Sequence, residues 1–107
     1  MYKLLSIKKS PNEKFKLQVE LYNTETKKIK RLQIGANGLK DYTLYNKEDG
    51  KAIANKRKKL YLTRHMKRED WTKTGIETKG FWSRWLLWSK ESLDESIKYV
   101  LKKFNLK

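Results

Sequence analysis

Gly80-Phe81-Trp82-Ser83-Arg84-Trp85-Leu86-Leu87-Trp88 places three of the four tryptophans of the chain, and one arginine, in a single short run. A run this aromatic in a small domain is either the centre of the core or a surface that something else covers. Trp82, Trp85 and Trp88 recur at helical spacing, so one side of a helix can carry all three. Such a stripe reads as core rather than as a base-stacking platform. Burying one such ring is worth ~2–3 kcal/mol, a large share of the stability of a domain this size. Residues 81–89 are therefore expected to form a short helix, apolar nearly all round. Arg84 is the odd member. Inside an apolar run it needs a carboxylate, a ring face or a phosphate, and the expectation is an ion pair with Asp41, Glu69 or Asp70.

Downstream, Ser92-Leu93-Asp94-Glu95 matches a capping box and opens a helix over 92–104. Leu93, Ile97, Val100, Leu101 and Phe104 line its core face, and Lys98, Lys102 and Lys103 point outward. Upstream, residues 68–80 are polar and irregular, with Gly75 as a bend and Trp71 the one large apolar residue. Trp71 is a candidate stacking or docking ring, with a lid on the core as its plainer role. Residues 51–67 read as a basic helix with Ile53, Leu60 and Tyr61 as a narrow apolar stripe. Residues 36–50 read as a loop that begins at the breaker cluster Gly35-Ala36-Asn37-Gly38.

The first third, 1–35, alternates apolar and polar residues between turn residues, as strands do. Phe15, Leu17, Val19 and Leu21 alternate with Lys16, Gln18, Glu20 and Tyr22, giving a half-buried strand whose apolar face must meet a helix. Tyr2–Lys8 and Lys28–Ile34 flank it through the turns Ser10-Pro11-Asn12 and Asn23-Thr24-Glu25-Thr26. Strands first and helices after give one α+β domain over 1–107: an N-terminal antiparallel three-stranded sheet packed on one face by about three C-terminal helices.

The formal charge is +15, from 27 Lys and Arg against 12 Asp and Glu. Such an excess repels itself unless a negative partner is near, and nucleic acid is the first candidate. Lysine dominates over arginine, which favours diffuse attraction to phosphate over bidentate readout of bases. Seven cations, Lys56, Arg57, Lys58, Lys59, Arg64, Lys67 and Arg68, crowd the basic helix and its end. One such run is ordinarily a solvated face; beside a second basic helix and a basic hairpin it becomes the candidate phosphate surface. Six of them on phosphates would give a slope of log affinity against log salt of about −5.

Cysteine is absent and His65 is the single histidine, so disulfides, thiolate chemistry and the usual zinc ligand sets are excluded, and no cofactor or metal is expected. The apolar start Met1-Tyr2-Lys3-Leu4-Leu5 is too short for a signal peptide, and no stretch approaches membrane-spanning length. The expectation is a soluble chain, mature as it stands, made in the cytoplasm and not inserted in a membrane. The one set resembling an active site is Asp41-Tyr42-Thr43 with Arg64-His65 and Glu69, which would do phosphodiester chemistry with His65 as general base. A lone histidine at a helix end is more often structural, so no catalytic residue is assigned.

Gly38 through Asp41-Tyr42-Thr43, then Tyr61-x-x-Arg64-His65, Glu69-x-Trp71, the Gly80–Trp88 run with Trp82, Trp85 and Trp88, and Ser92-Leu93 with Ser96-Ile97 form an ordered series of motifs over about 28–104. In this the chain resembles a family of short, basic, uncharacterised proteins of giant nucleocytoplasmic DNA viruses. The resemblance implies a viral product of the host cytoplasm and its viral factory, with carriage in the virion as an option, and no settled activity. Two departures stand out. The segment between Thr43 and Tyr61 is longer than the family spacing, and Lys79 replaces an expected alanine, which argues that this helix end is solvated or faces an anion.

Three functional readings fit these residues, in order of preference. The first is a non-enzymatic accessory or virion protein binding DNA, RNA or another polyanion through phosphates. The second is a minor capsid or cement protein binding acidic virion proteins. The third is a small phosphodiester-processing enzyme using His65.

Overall fold

A computed structural model describes residues 2–106. Three strands, β1 (Tyr2–Lys9), β2 (Phe15–Asn23) and β3 (Lys28–Ala36), form an antiparallel sheet in the order β1-β2-β3. Leu17 faces Ile34 and Val19 faces Leu32 across β2 and β3, which sets one apolar face. In β1 the inward residues Tyr2 and Leu4 are followed by Ile7, which breaks the period of two. A bulge at Leu5 restores the phase, so Ile7 still meets Val19. The opposite face is polar: Ser6 donates to Glu20 at 2.6 Å, Arg31 pairs with the same carboxylate at 2.8 Å, and Gln33 donates to Gln18.

Four helices follow the sheet, giving the expected α+β arrangement. The region 36–50, expected as loop, contains helix α1 (Tyr42–Glu48). Its start is fixed by Asp41, whose carboxylate accepts from the Leu44 amide at 3.1 Å. A seven-residue helix with one buried side chain, Tyr42, shows too little apolar period to be read from pattern. Helix α2 spans Lys51–His65. The apolar stripe expected on it is displaced: Ala54 and Tyr61 are buried, whereas Ile53 and Leu60 stay 48% and 46% exposed. On a helix this polar, the aromatic partner of Tyr61 selects the inward face.

Between 68 and 78 lies a short 3₁₀ turn, Lys73–Gly75. Helix α3 begins at Lys79, two residues before the expected 81, because the Thr78 hydroxyl caps the Phe81 amide. After Trp82 the winding loosens into a π turn over Ser83–Leu87. The looser turn rotates the residues beyond it, so the three tryptophans do not share a side as expected. Trp82 is fully buried beneath the sheet, Trp85 meets Phe104 with centroids 5.4 Å apart, and Trp88 turns to Tyr61. Helix α4 (Leu93–Lys103) has the expected cap, with Ser92 accepting from the Glu95 amide at 3.2 Å. Acids in its first turn and lysines in its last complement the helix dipole.

The core joins Leu17, Val19, Leu21, Leu32 and Ile34 of the sheet to Phe81, Trp82, Trp85 and Leu86, with Val100 of α4 beyond. The Gly80–Trp88 run is thus the centre of the molecule. Among the described residues no helix is long and apolar enough to cross a membrane.

Candidate polyanion-binding cleft

A cleft of about 650 Å³ opens where the end of the sheet, α1, α2 and the start of α3 meet. At its floor Lys16 of β2 reaches the Asp41 carboxylate at 2.7 Å, with Asp41 almost wholly buried. The same carboxylate caps α1 and accepts from the Thr43 hydroxyl, so it ties the sheet to the helices. Gly35, the next-to-last residue of β3, is in the left-handed region at φ 74°; a Cβ would stand 2.7 Å from Leu87. The α1–α2 pair closes around Tyr42, whose hydroxyl donates to Asn55 at 2.7 Å.

One wall is an aromatic stack. Trp88 lies on Tyr61 with centroids 4.4 Å apart and planes at 8°, and His65 lies on the other face of Tyr61 at 4.3 Å. Burial, and then the negative charge of Glu69, push the Tyr61 hydroxyl above its ordinary pKa, so it stays neutral. Glu69 is the clasp of this wall. One oxygen lies 3.1 Å from His65 Nδ1, and the other accepts from the Trp71 indole at 2.9 Å. Gly80 makes room for it, since a Cβ there would stand 2.7 Å from the Glu69 carboxyl carbon.

The structure therefore brings Asp41, Arg64, His65 and Glu69 to one cleft, as the active-site pattern required, and sends Tyr42 beneath α2 instead. His65 is held by Glu69 and by Tyr61, a geometry that first of all fastens the end of α2 to the start of α3. Among the described residues no three His, Asp or Glu side chains gather as metal ligands.

Arg84 does not find the expected carboxylate. Its guanidinium donates to the Trp88 carbonyl at 2.7 Å and lies over the Trp85 ring at 4.3 Å and the Trp71 ring at 5.5 Å. Burial lowers its pKa from the ordinary value. Neither Asp41, Glu69 nor Asp70 was free for it: Asp41 holds Lys16, Glu69 holds His65 and Trp71, and Asp70 accepts from Thr72 and Thr74. Trp71 is accordingly a half-buried lid: it packs on the core, and its carbonyl accepts from the Trp85 indole at 3.0 Å.

The seven cations of 56–68 divide by place. Lys58 turns inward, donating to the Ser89 carbonyl at 2.8 Å over the Tyr42 ring, and burial lowers its pKa. Arg57 and Arg64 line the cleft; Lys56, Lys59, Lys67 and Arg68 are exposed outside it. No family model, curated protein or solved structure matches the chain.

Sequence reading missed Lys16, Lys40 and Tyr45 as cleft residues, because they lie far from the basic helix in the chain and are gathered by tertiary packing alone. Lys79 did carry a signal, standing where alanine was expected. It is exposed, lines the cleft and lies over the Phe15 ring at 4.9 Å.

Proposed function

We propose that this protein binds nucleic acid, DNA or RNA, through backbone phosphates and with tolerance of sequence, and that it acts by binding rather than by catalysis. One observation carries the reading. Among the described residues the ion pairs fall on Lys8, Lys16, Arg31, Lys40, Lys51 and His65, and none falls on the seven cations of 56–68. Lys58 is turned inward to the Ser89 carbonyl, and the charge of the other six is left for an external anion. In the setting that the resemblance implies, that anion would be viral nucleic acid in the host cytoplasm or the virion.

Replacing Lys56, Lys59, Lys67 and Arg68 together by glutamine should abolish retention on duplex DNA at about 150 mM salt, with an unchanged melting temperature. Unchanged retention would reject the reading. A minor capsid or cement role is supported by a different feature, the two open sheet edges, where Leu5 of β1 and Ile29 of β3 are each 49% exposed. In that case DNA binding would be no stronger than that of an unrelated protein of equal charge, and the chain would occur at fixed stoichiometry in virions.

A further inference from the structure

The geometry points to a single strand, rather than a duplex, as the nucleic acid that enters the cleft, with its phosphates between Arg57, Arg64 and Lys79 and its unpaired bases on the apolar rim. This rests on the proposed polyanion binding and specifies the ligand of the cleft.

Two observations on the cleft combine. First, its cations come from two elements, Arg57 and Arg64 from α2 and Lys79 from the start of α3, and none of the three has a carboxylate partner among the described residues. The two carboxylates in the lining do not compete, since Asp41 is held by Lys16 and Glu69 by His65 and Trp71. Second, the mouth carries exposed aliphatic side chains, Leu39 at 67% and Leu60 at 46%.

A duplex is a stiff rod that hides its base faces, so it can meet exposed cations but cannot set base faces on the leucines beside them. A single strand is flexible and presents bases with apolar faces beside its phosphates. Unpaired cations and exposed leucines lining the same cleft are complementary to that arrangement.

The test compares a dT oligonucleotide with a duplex of equal phosphate number by fluorescence anisotropy. The single strand should bind at least about fivefold tighter. Leu60→Ser, at a half-exposed position, should remove most of that advantage and leave duplex affinity unchanged. Arg64→Gln should lower the single-strand salt slope by about 0.7. Lys56→Gln with Lys59→Gln should weaken the duplex and spare the single-strand preference. Equal affinity for the two nucleic acids, or a preference that survives both Leu60→Ser and Arg64→Gln, would overturn the inference while leaving the proposed function standing. Binding to neither would end both. Displacement of the strand by an equally charged polyglutamate at equal concentration would assign the cleft to an acidic protein instead. Thermal melts of each variant separate lost binding from lost folding.

Discussion

Neutralising Lys56 and Lys59 separates a basic helix that acts as one continuous surface from one divided into two faces. Successive residues of an α-helix are rotated by about 100°, so Lys56 and Lys59 lie about 60° apart and Arg57 and Arg64 about 20° apart, with roughly 120° between the two pairs. A straight duplex meets one face at a time. It can reach the exposed cations outside the cleft, Lys56, Lys59, Lys67 and Arg68. Four phosphate contacts give a salt slope of about −3.6, and affinity then falls about 150-fold between 50 and 200 mM salt. Lys56→Gln with Lys59→Gln should reduce the slope to about −1.8 and the loss to about 12-fold over the same range. Anisotropy titrations of a labelled duplex at four salt concentrations measure both. A slope near −5 in the unaltered protein, lowered equally by the Lys56/Lys59 pair and by an Arg57/Arg64 pair of substitutions, would refute the division into faces.

Other outcomes rest on the packing of the fold. Trp82→Ala removes a fully buried ring whose indole donates to the Ile76 carbonyl at 2.7 Å, and should cost about 3–5 kcal/mol in denaturant unfolding. Gly80→Ala should cost about 1–2 kcal/mol by displacing the Glu69 carboxylate from His65 and Trp71; in a Glu69→Ala background the same change should cost almost nothing, which a double-mutant cycle would read. Hydrogen bonding from Ser6, then the bond from Arg31 and the charges of Lys8 and Arg31, hold the Glu20 carboxyl below its ordinary pKa of 4.5. A lowered folded-state pKa gives stability that is present above the unfolded value and is lost as pH falls through the folded one, so Glu20→Gln should flatten the acid limb of stability below about pH 4.5. Melts across pH 2–7 would show it.

The features legible in the sequence were those that repeat with a local period. The alternation of Phe15, Leu17, Val19 and Leu21 against Lys16, Gln18, Glu20 and Tyr22 needs no tertiary information to become a central strand, and neither does the Ser92–Glu95 box. Helix α1 depends on one cap, Asp41, whose carboxylate is also the partner of Lys16, a residue 25 positions away. The register of the tryptophans depended on a π turn that no spacing announces. The cleft was half legible. Its motif residues Asp41, Arg64, His65 and Glu69 stood out by type, but Lys16, Lys40 and Tyr45 reach it only through the fold. The contiguous basic run concealed the opposite error, because adjacent cations on a helix diverge and Lys58 faces inward.

The aromatic rings of this chain bear on where its cations are placed. A cation inside the fold can be held by a carboxylate, or by a ring face or carbonyl that stabilises it without occupying an acid, and neither route alters the net charge. Lys16 takes the first route, with Asp41, and two part-buried cations take the second. Arg84 lies over Trp85 and donates to the Trp88 carbonyl, and Lys58 lies over Tyr42 and donates to the Ser89 carbonyl. Because rings and carbonyls hold these two cations, neither occupies an acid, while the excess of +15 is set by the composition itself. The Gly80–Trp88 run thus forms the core and also supplies the carbonyl and the ring that hold Arg84 in place of an acid.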